Sequence, residues 1–196
     1  MACDLATLPQ CTKCRLAETR KQVVVGSGAA RATVMLIGEA PGRNEDEGGK
    51  PFIGAAGKLL DQFLERAQLT RDEIYITNVV KCRPPKNRNP LRDEIEACQD
   101  WLMEQIRQQQ PRLIVTLGSF ASAWALGQTR LMSQLVQTSG TYDYIDGSDT
   151  ARQAQVIAVY HPAATIYNQQ LRAPFLASAD KVRAALEVME RSKDER

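Results

Sequence analysis

The chain has one histidine in 196 residues, and no apolar run approaches the roughly 18 residues of a membrane span. Any imidazole chemistry therefore rests on His161 alone, and a transmembrane anchor is not expected. Phosphate-gripping signatures are also missing. The G-x-x-x-x-G-K-[ST] pattern does not occur, because Gly54 to Leu59 lacks the lysine and hydroxyl in register, and no G-x-G-x-x-G opens a helix. That argues against a nucleotide or flavin enzyme on a flavodoxin-like sheet. The first residues, Met1-Ala-Cys-Asp-Leu, show no basic region followed by an apolar stretch. This predicts a cytoplasmic protein, nucleoid-associated if its partner is DNA. Strong charge of one sign is lacking as well: the net charge is +2, too mild by itself to imply a polyanion.

With 43% hydrophobic residues the chain can bury one sizeable core, and the sequence shows no internal repeat, low-complexity tract or linker. We expect a single domain over 1–196. Four short apolar runs rich in β-branched residues read as buried strands: Thr33 to Ile37, Ile74 to Thr77, Leu113 to Leu117 and Val156 to Tyr160. Helical patterns lie between them, over Gly57 to Ala67, Arg92 to Gln109 and Ser119 to Leu126, with a closing helix near Ser178 to Arg191. Strands alternating with helices predict an α/β fold of three layers, with a parallel sheet between helices. The polar, turn-rich segment from Ser139 to Arg152 reads as a hairpin or surface loop.

Of the five cysteines, Cys11, Cys14, Cys82 and Cys98 read as one metal site, because soft thiolates bind iron-sulfur clusters or zinc and a Cys-x-x-Cys turn aims two sulfurs at one centre. Fifteen residues separate Cys82 from Cys98, where a zinc ribbon repeats the tight knuckle, so a cluster is favoured over zinc; disulfides or unconnected thiols remain a third reading. A reducing compartment disfavours disulfides. Cys3 reads as a terminal thiol.

The other unusual residues sit at strand exits. The first strand runs into Gly38-Glu39-Ala40-Pro41-Gly42, the second into Asn78 and Lys81-Cys82-Arg83-Pro84-Pro85, the third into Gly118-Ser119 and the fourth into His161-Pro162-Ala163-Ala164. Ligands of open parallel sheets bind beyond these carboxyl ends. Proline after His161 fixes an extended backbone there. Glu39 is either a solvated loop acid or functional, and Asn78 alone is a common strand terminator. Phe52, in a glycine-rich loop, is a core plug or a platform for a flat ligand. Lys81, Arg83, Lys86, Arg88 and Arg92 occur with no acid between Lys81 and Arg92, predicting a positive patch or an ordinary solvated loop.

Taken together, these residues resemble the iron-sulfur uracil-DNA glycosylases, the fourth family of the uracil-DNA glycosylase superfamily. The resemblance runs through Cys11-Thr12-Lys13-Cys14, Gly38-Glu39-Ala40-Pro41-Gly42, Gly49-Lys50-Pro51-Phe52-Ile53-Gly54 and Thr77-Asn78-Val79-Val80-Lys81-Cys82-Arg83-Pro84-Pro85. It continues through Asn87-Arg88, Cys98 and Tyr160-His161-Pro162-Ala163-Ala164. It implies a four-stranded parallel sheet between helices, a [4Fe-4S] cluster on Cys11, Cys14, Cys82 and Cys98, and hydrolysis of the N-glycosidic bond of deoxyuridine in single- or double-stranded DNA by a monomer. It further implies that Phe52 stacks on the everted uracil, that Asn78 reads its polar edge with Gly38 also in the base site, that His161 stabilises the departing oxyanion, and that Glu39 serves the water, the cationic sugar or the loop itself while the Ala40 backbone in the same site helps to position water. Lys81, Arg83, Arg88 and Arg172 are the implied DNA contacts, with Ile166 or Leu171 filling the gap left by the flipped nucleotide. A related class uses an additional histidine on an inserted loop; with one histidine, this chain is not expected to share that chemistry. The rival reading is a non-catalytic cluster-bearing DNA-binding module on the same fold.

Overall fold

A computed structural model describes residues 3–194. Residues 1, 2, 195 and 196, the ends of the expected domain, lie outside the described residues. One sheet organises the chain. Its strands are β1 (Ser27–Gly28), β2 (Val34–Gly38), β3 (Tyr75–Asn78), β4 (Leu113–Leu117), β5 (Ser139–Ile145) and β6 (Ala151–Val159), arranged in the order β1-β3-β2-β4-β6-β5. The four central strands are parallel, and β1 and β5 close the edges antiparallel. The four expected strands thus form the core of a six-stranded mixed sheet. The edge strands escaped the apolar-run criterion for physical reasons. β1 has only two residues, and β5 alternates exposed and half-buried positions along a largely polar sequence.

The helices are α1 (Arg43–Gly48), α2 (Ala55–Arg66), α3 (Arg92–Gln109), α4 (Ser119–Leu126), α5 (Met132–Leu135), α6 (Pro162–Tyr167) and α7 (Arg172–Asp194). Both faces of the central strands are apolar, as buried parallel strands require. Met35, Ile37, Ile114 and Val156 pack with Trp101, Leu102 and Ile106 of α3 and with the N-terminal segment. Val34, Leu36, Leu113, Val115 and Val159 pack on the other face with Leu60, Phe63 and Leu64 of α2 and Phe175, Ala179 and Val182 of α7. Phe63 and Phe175 stack with ring centroids 5.1 Å apart. Burying a side chain of this size contributes about 1.5–3 kcal/mol, so the two layers fix where each strand ends.

The stretch read as hairpin or loop is a hairpin, and the starts of two elements move. The Ser139 to Arg152 segment is a β hairpin, and its second arm extends the fourth parallel strand back to Ala151. Asp146 makes that turn, accepting the Ser148 and Thr150 amides (2.8 and 3.1 Å) and the Arg152 guanidinium (2.8 Å). The last helix begins at Arg172 rather than near Ser178, since Pro174 lies in the first turn, where a missing amide costs nothing. Two short 3-10 turns, Leu5–Gln10 and Arg15–Glu18, insert the buried Leu8 and Leu16 into the core on the α3 side.

Candidate active site and cysteine cavity

The chain steps from β2 outward to β3 and then returns to the other side of β2 for β4. Loops diverge at this switch point, leaving a crevice beyond the carboxyl ends. There Gly38 and Asn78 are register partners at the last rung of β2 and β3. A methyl on Gly38 would lie 2.4 Å from Asn78 Oδ1 and 2.6 Å from Phe52 Cζ. The amide and the ring therefore meet across the space that glycine leaves. Phe52 in turn faces His161, with centroids 5.8 Å apart and planes tilted by 34°. A methyl on Gly118, at the end of β4, would come within 3.0 Å of His161 Cβ, and its φ of +90° suits glycine. Gly38, Phe52, Asn78 and His161 thus form one cluster drawn from three strand exits and the α1–α2 loop.

Each of these groups is held in a defined chemical state. Asn78 is 1% exposed, and among the described residues its Oδ1 is the one buried side-chain polar atom without a partner. An orphaned buried acceptor costs about 1–3 kcal/mol and asks for a donor from a ligand. His161 Nδ1 accepts the Ala163 amide at 3.2 Å, which places the imidazole proton on Nε2. Burial pushes His161 down to about 4, against the opposing influence of Glu45, so the ring is a neutral N–H donor at ordinary pH. Burial pushes Glu39 up to about 7. Its carboxyl group makes no hydrogen bond or ion pair among the described residues and is only partly covered, so water reaches it. Ala40 is also partly covered, and the Glu39 carbonyl accepts the Val80 amide at 3.1 Å, tying this loop to the β3 exit.

Two supports were missed by the sequence reading. Glu45 accepts the amides of Gly42 (3.1 Å), Ile53 (3.0 Å) and Gly54 (2.9 Å), clamping the loops after β2 and before α2 together. Arg71 donates to the carbonyls of Phe52 (2.8 Å) and Gly57 (3.3 Å) and pairs with Asp61 (2.7 Å). It holds Phe52 in left-handed backbone, φ 53°, a conformation costly for a non-glycine residue. The position of Glu45, three residues after Gly42, is a capping-box spacing that signals its local bond. Nothing local signals Arg71.

The cationic candidates divide. Lys81 is corrected: it is 0% exposed, and its ammonium donates to Thr77 Oγ1 (2.9 Å) and to the Asn78 carbonyl, so it cannot reach a phosphate. Arg88 makes a bidentate pair with the buried Glu94 (2.8 and 2.6 Å), and Glu94 also accepts the Leu91 amide at the start of α3 (2.8 Å). Its guanidinium fixes the loop. Arg83 is partly exposed and bonds Asn87 Oδ1 at 2.7 Å. Arg172 is exposed and reaches Gln62 at 3.2 Å. Ile166 is 45% exposed on α6 beside Tyr167 at 90%, whereas Leu171 is half-buried.

Cys11, Cys14, Cys82 and Cys98 line one cavity together with Leu8, Leu16, Val80, Arg20 and Lys81. All five cysteines are free, and among the described residues no three His, Cys, Asp or Glu side chains are arranged to hold a metal ion. The four thiols face a common space. Their setting favours sulfur in its anionic form: Trp101 Nε1 donates to Cys11 at 3.3 Å and Arg20 Nη1 to Cys82 at 3.4 Å. As free thiols Cys82 and Cys98 are held neutral, burial pushing Cys82 up to about 11 and raising Cys98. An apolar pocket with four soft donors and cations at its wall fits an anionic thiolate-ligated group.

The Uracil DNA glycosylase superfamily model matches residues 25–188. The chain is 41% identical to a type-4 uracil-DNA glycosylase of Archaeoglobus fulgidus over 88% of this chain and 86% of that one. It is 44% identical to the type-4 enzyme of Pyrobaculum aerophilum over 86% and 85%, and 36% identical to that of Thermotoga maritima over 89% and 88%. Among the described residues no helix is long and apolar enough to cross a membrane.

The tight packing at Gly38 can be checked by one methyl. Gly38→Ala is expected to force Phe52 and Asn78 apart and to destabilise the fold by about 1–3 kcal/mol, read as a lower denaturation midpoint with unchanged far-UV dichroism. An unaltered midpoint would mean that the crevice is not closed as described.

Proposed function

The chain belongs to the uracil-DNA glycosylase superfamily, within its type-4 class, and from that premise we propose how its residues release uracil from DNA. It is a uracil-DNA glycosylase, a hydrolase of N-glycosyl bonds. We take 1–196 as one catalytic domain acting as a monomer.

The observation that carries the reading is the unpartnered Asn78 Oδ1. Uracil offers an N–H donor at N3 and an acceptor at O4, and one side-chain amide answers both. Cytosine presents an acceptor at N3 and a donor at its exocyclic nitrogen, so it would leave Oδ1 unsatisfied and oppose like groups. A base within a duplex cannot reach this crevice, so the nucleotide swings out, with its ring against Phe52. As the bond breaks, the sugar gains oxocarbenium character and the base gains negative charge. His161 meets that charge at uracil O2 with Nε2–H; a preorganised donor of this type contributes about 2.7–4 kcal/mol. The low pKa keeps Nδ1 free to accept the Ala163 amide and leaves the single ring proton on Nε2, the donating atom. Glu39, unpaired and open to water, orients the attacking water as a carboxylate and lies beside the cationic sugar. Arg83 and Arg172 face the DNA backbone, and Ile166 fills the vacated stack in preference to the less exposed Leu171.

Cys11, Cys14, Cys82 and Cys98 hold a [4Fe-4S] cluster, consistent with the class and with thiols spread around one cavity. When bound, the cluster supplies structure rather than chemistry, fastening the N-terminal segment to the β3 exit and α3.

Purified protein given a uracil-containing oligonucleotide is expected to release free uracil and leave an alkali-labile site; a stable complex without release would support the non-catalytic module instead. Asn78→Asp replaces the amide donor by an acceptor and is expected to lower uracil-over-cytosine discrimination about tenfold or more, measured as the ratio of kcat/KM values. The pH profile follows from Glu39. With its pKa raised to about 7, the carboxylate dominates only above that pH, so kcat/KM rises through pH 7 to a plateau. His161, neutral above about 4, adds no limb near 6.5. Glu39→Gln should remove the limb and reduce the rate by about 10²–10⁴; a retained limb would assign it elsewhere. Cys82→Ala is expected to strip iron and sulfide, bleach visible absorbance and lower the denaturation temperature. Stoichiometric zinc in the wild-type protein would replace the cluster assignment.

A further inference from the structure

Lys81 is a fully buried charged group that neither the catalytic reading nor the DNA contacts absorb. It is 0% exposed and among the largest fully buried side chains, and no carboxylate is paired with it among the described residues. Burying an ammonium costs several kcal/mol unless opposite charge and hydrogen bonds compensate. Two hydrogen bonds are present, to Thr77 Oγ1 at 2.9 Å and to the Asn78 main-chain carbonyl. The opposite charge has one available source. Lys81 lines the cysteine cavity together with Cys82 and Cys98. Neutral thiols supply no such charge; thiolates carrying a metal-sulfur group do.

The main chain of Lys81 adds to this position. Its carbonyl accepts the Val24 amide at 2.8 Å, pinning the N-terminal segment. One residue thus touches the thiol site, the N-terminal segment and the backbone of Asn78.

We propose that Lys81 is a positioning residue joining the cysteine site to base recognition: thiolate charge holds the ammonium in place, and the ammonium holds the Asn78 backbone where its amide meets the base edge. The proposal rests on the cluster and edge-reading assignments above. It predicts that a change in charge at position 81 is felt at both ends, by the bound group and by uracil.

The test uses the holoenzyme and its Lys81→Met variant, which keeps the length and apolar stem of the side chain and removes the charge. Three quantities are measured: iron and sulfide content, midpoint potential of the bound group, and the inhibition constant for free uracil alongside KM and kcat. The expected variant retains iron and sulfide, has a more negative midpoint potential because a neighbouring positive charge is gone, and binds uracil about tenfold more weakly, with KM affected more than kcat. If Lys81→Met does not fold, Thr77→Val removes an ammonium acceptor while keeping the charge; it should weaken uracil inhibition and leave the potential near wild type. Unchanged uracil inhibition in whichever variant folds overturns the proposal, as does an unchanged potential in Lys81→Met. Failure of the underlying reading is distinguishable, because wild-type protein would then lack iron and sulfide, or Asn78→Ala would inhibit like wild type.

Discussion

The contact on which the crevice depends is the approach of the Asn78 amide to the Phe52 ring across the missing side chain of Gly38. Parallel pairing of β2 with β3 sets Gly38 opposite Asn78, and the apolar layers on both faces fix the height at which those strands stop. A side chain at Gly38 would separate a hydrogen-bonding edge from an aromatic face. Both are needed to grip a planar pyrimidine, whose rim is polar and whose faces are not. Phe52 then passes the constraint to His161 through their ring contact. The positions of the Asn78 amide and the His161 imidazole, the groups proposed to meet opposite edges of the base, are therefore set by a single packing relation.

The crevice concentrates groups that the fold would be more stable without. A carboxyl group is raised to about 7 by burial, an amide oxygen has no partner, and a phenylalanine adopts left-handed backbone. Such departures persist where surrounding interactions over-determine them. Here the over-determination is specific. Arg71 fastens the carbonyls on both sides of the Phe52 turn, and Glu45 collects three amides from two loops. Neither needs to touch a substrate. Together they explain how a short glycine-rich loop stays open to a ligand without collapsing.

The buried strands and long helices were readable because their signal is local: apolar runs of β-branched residues and a repeating helical face. That Gly38, Asn78 and His161 gather at the strand exits was readable for the same reason, since they follow those apolar runs directly. β5 was not, because a half-exposed strand of polar residues looks like a loop until its partner is known. Lys81 and Arg88 misled for a related reason. Sequence reports a charge but not its burial, and a lysine inside a basic stretch looks solvated until Thr77, Asn78 and the thiols are seen around it. Arg88 is taken by Glu94, six residues away and itself buried. The thiol quartet was legible as a set of soft donors, while its spread around a cavity is a property of packing.

Six consecutive residues, Thr77 to Cys82, serve both centres of the molecule: Asn78 faces the crevice, Cys82 faces the thiol cavity, and Lys81 bonds back to Thr77 and Asn78. A chain that leaves a strand has few ways to keep its first residues rigid, because the ladder no longer supplies hydrogen bonds. Here an ammonium folded back on the strand end does so, and the amides of Val79 and Val80 remain bonded to Gly38 and Glu39 across the gap. The backbone at Asn78 is thereby held from two directions, by the loop after β2 and by the buried Lys81 ammonium. A distant thiol site and a polar pocket need no moving part to depend on each other. They share a stretch of backbone too short and too tightly bonded for either end to relax alone.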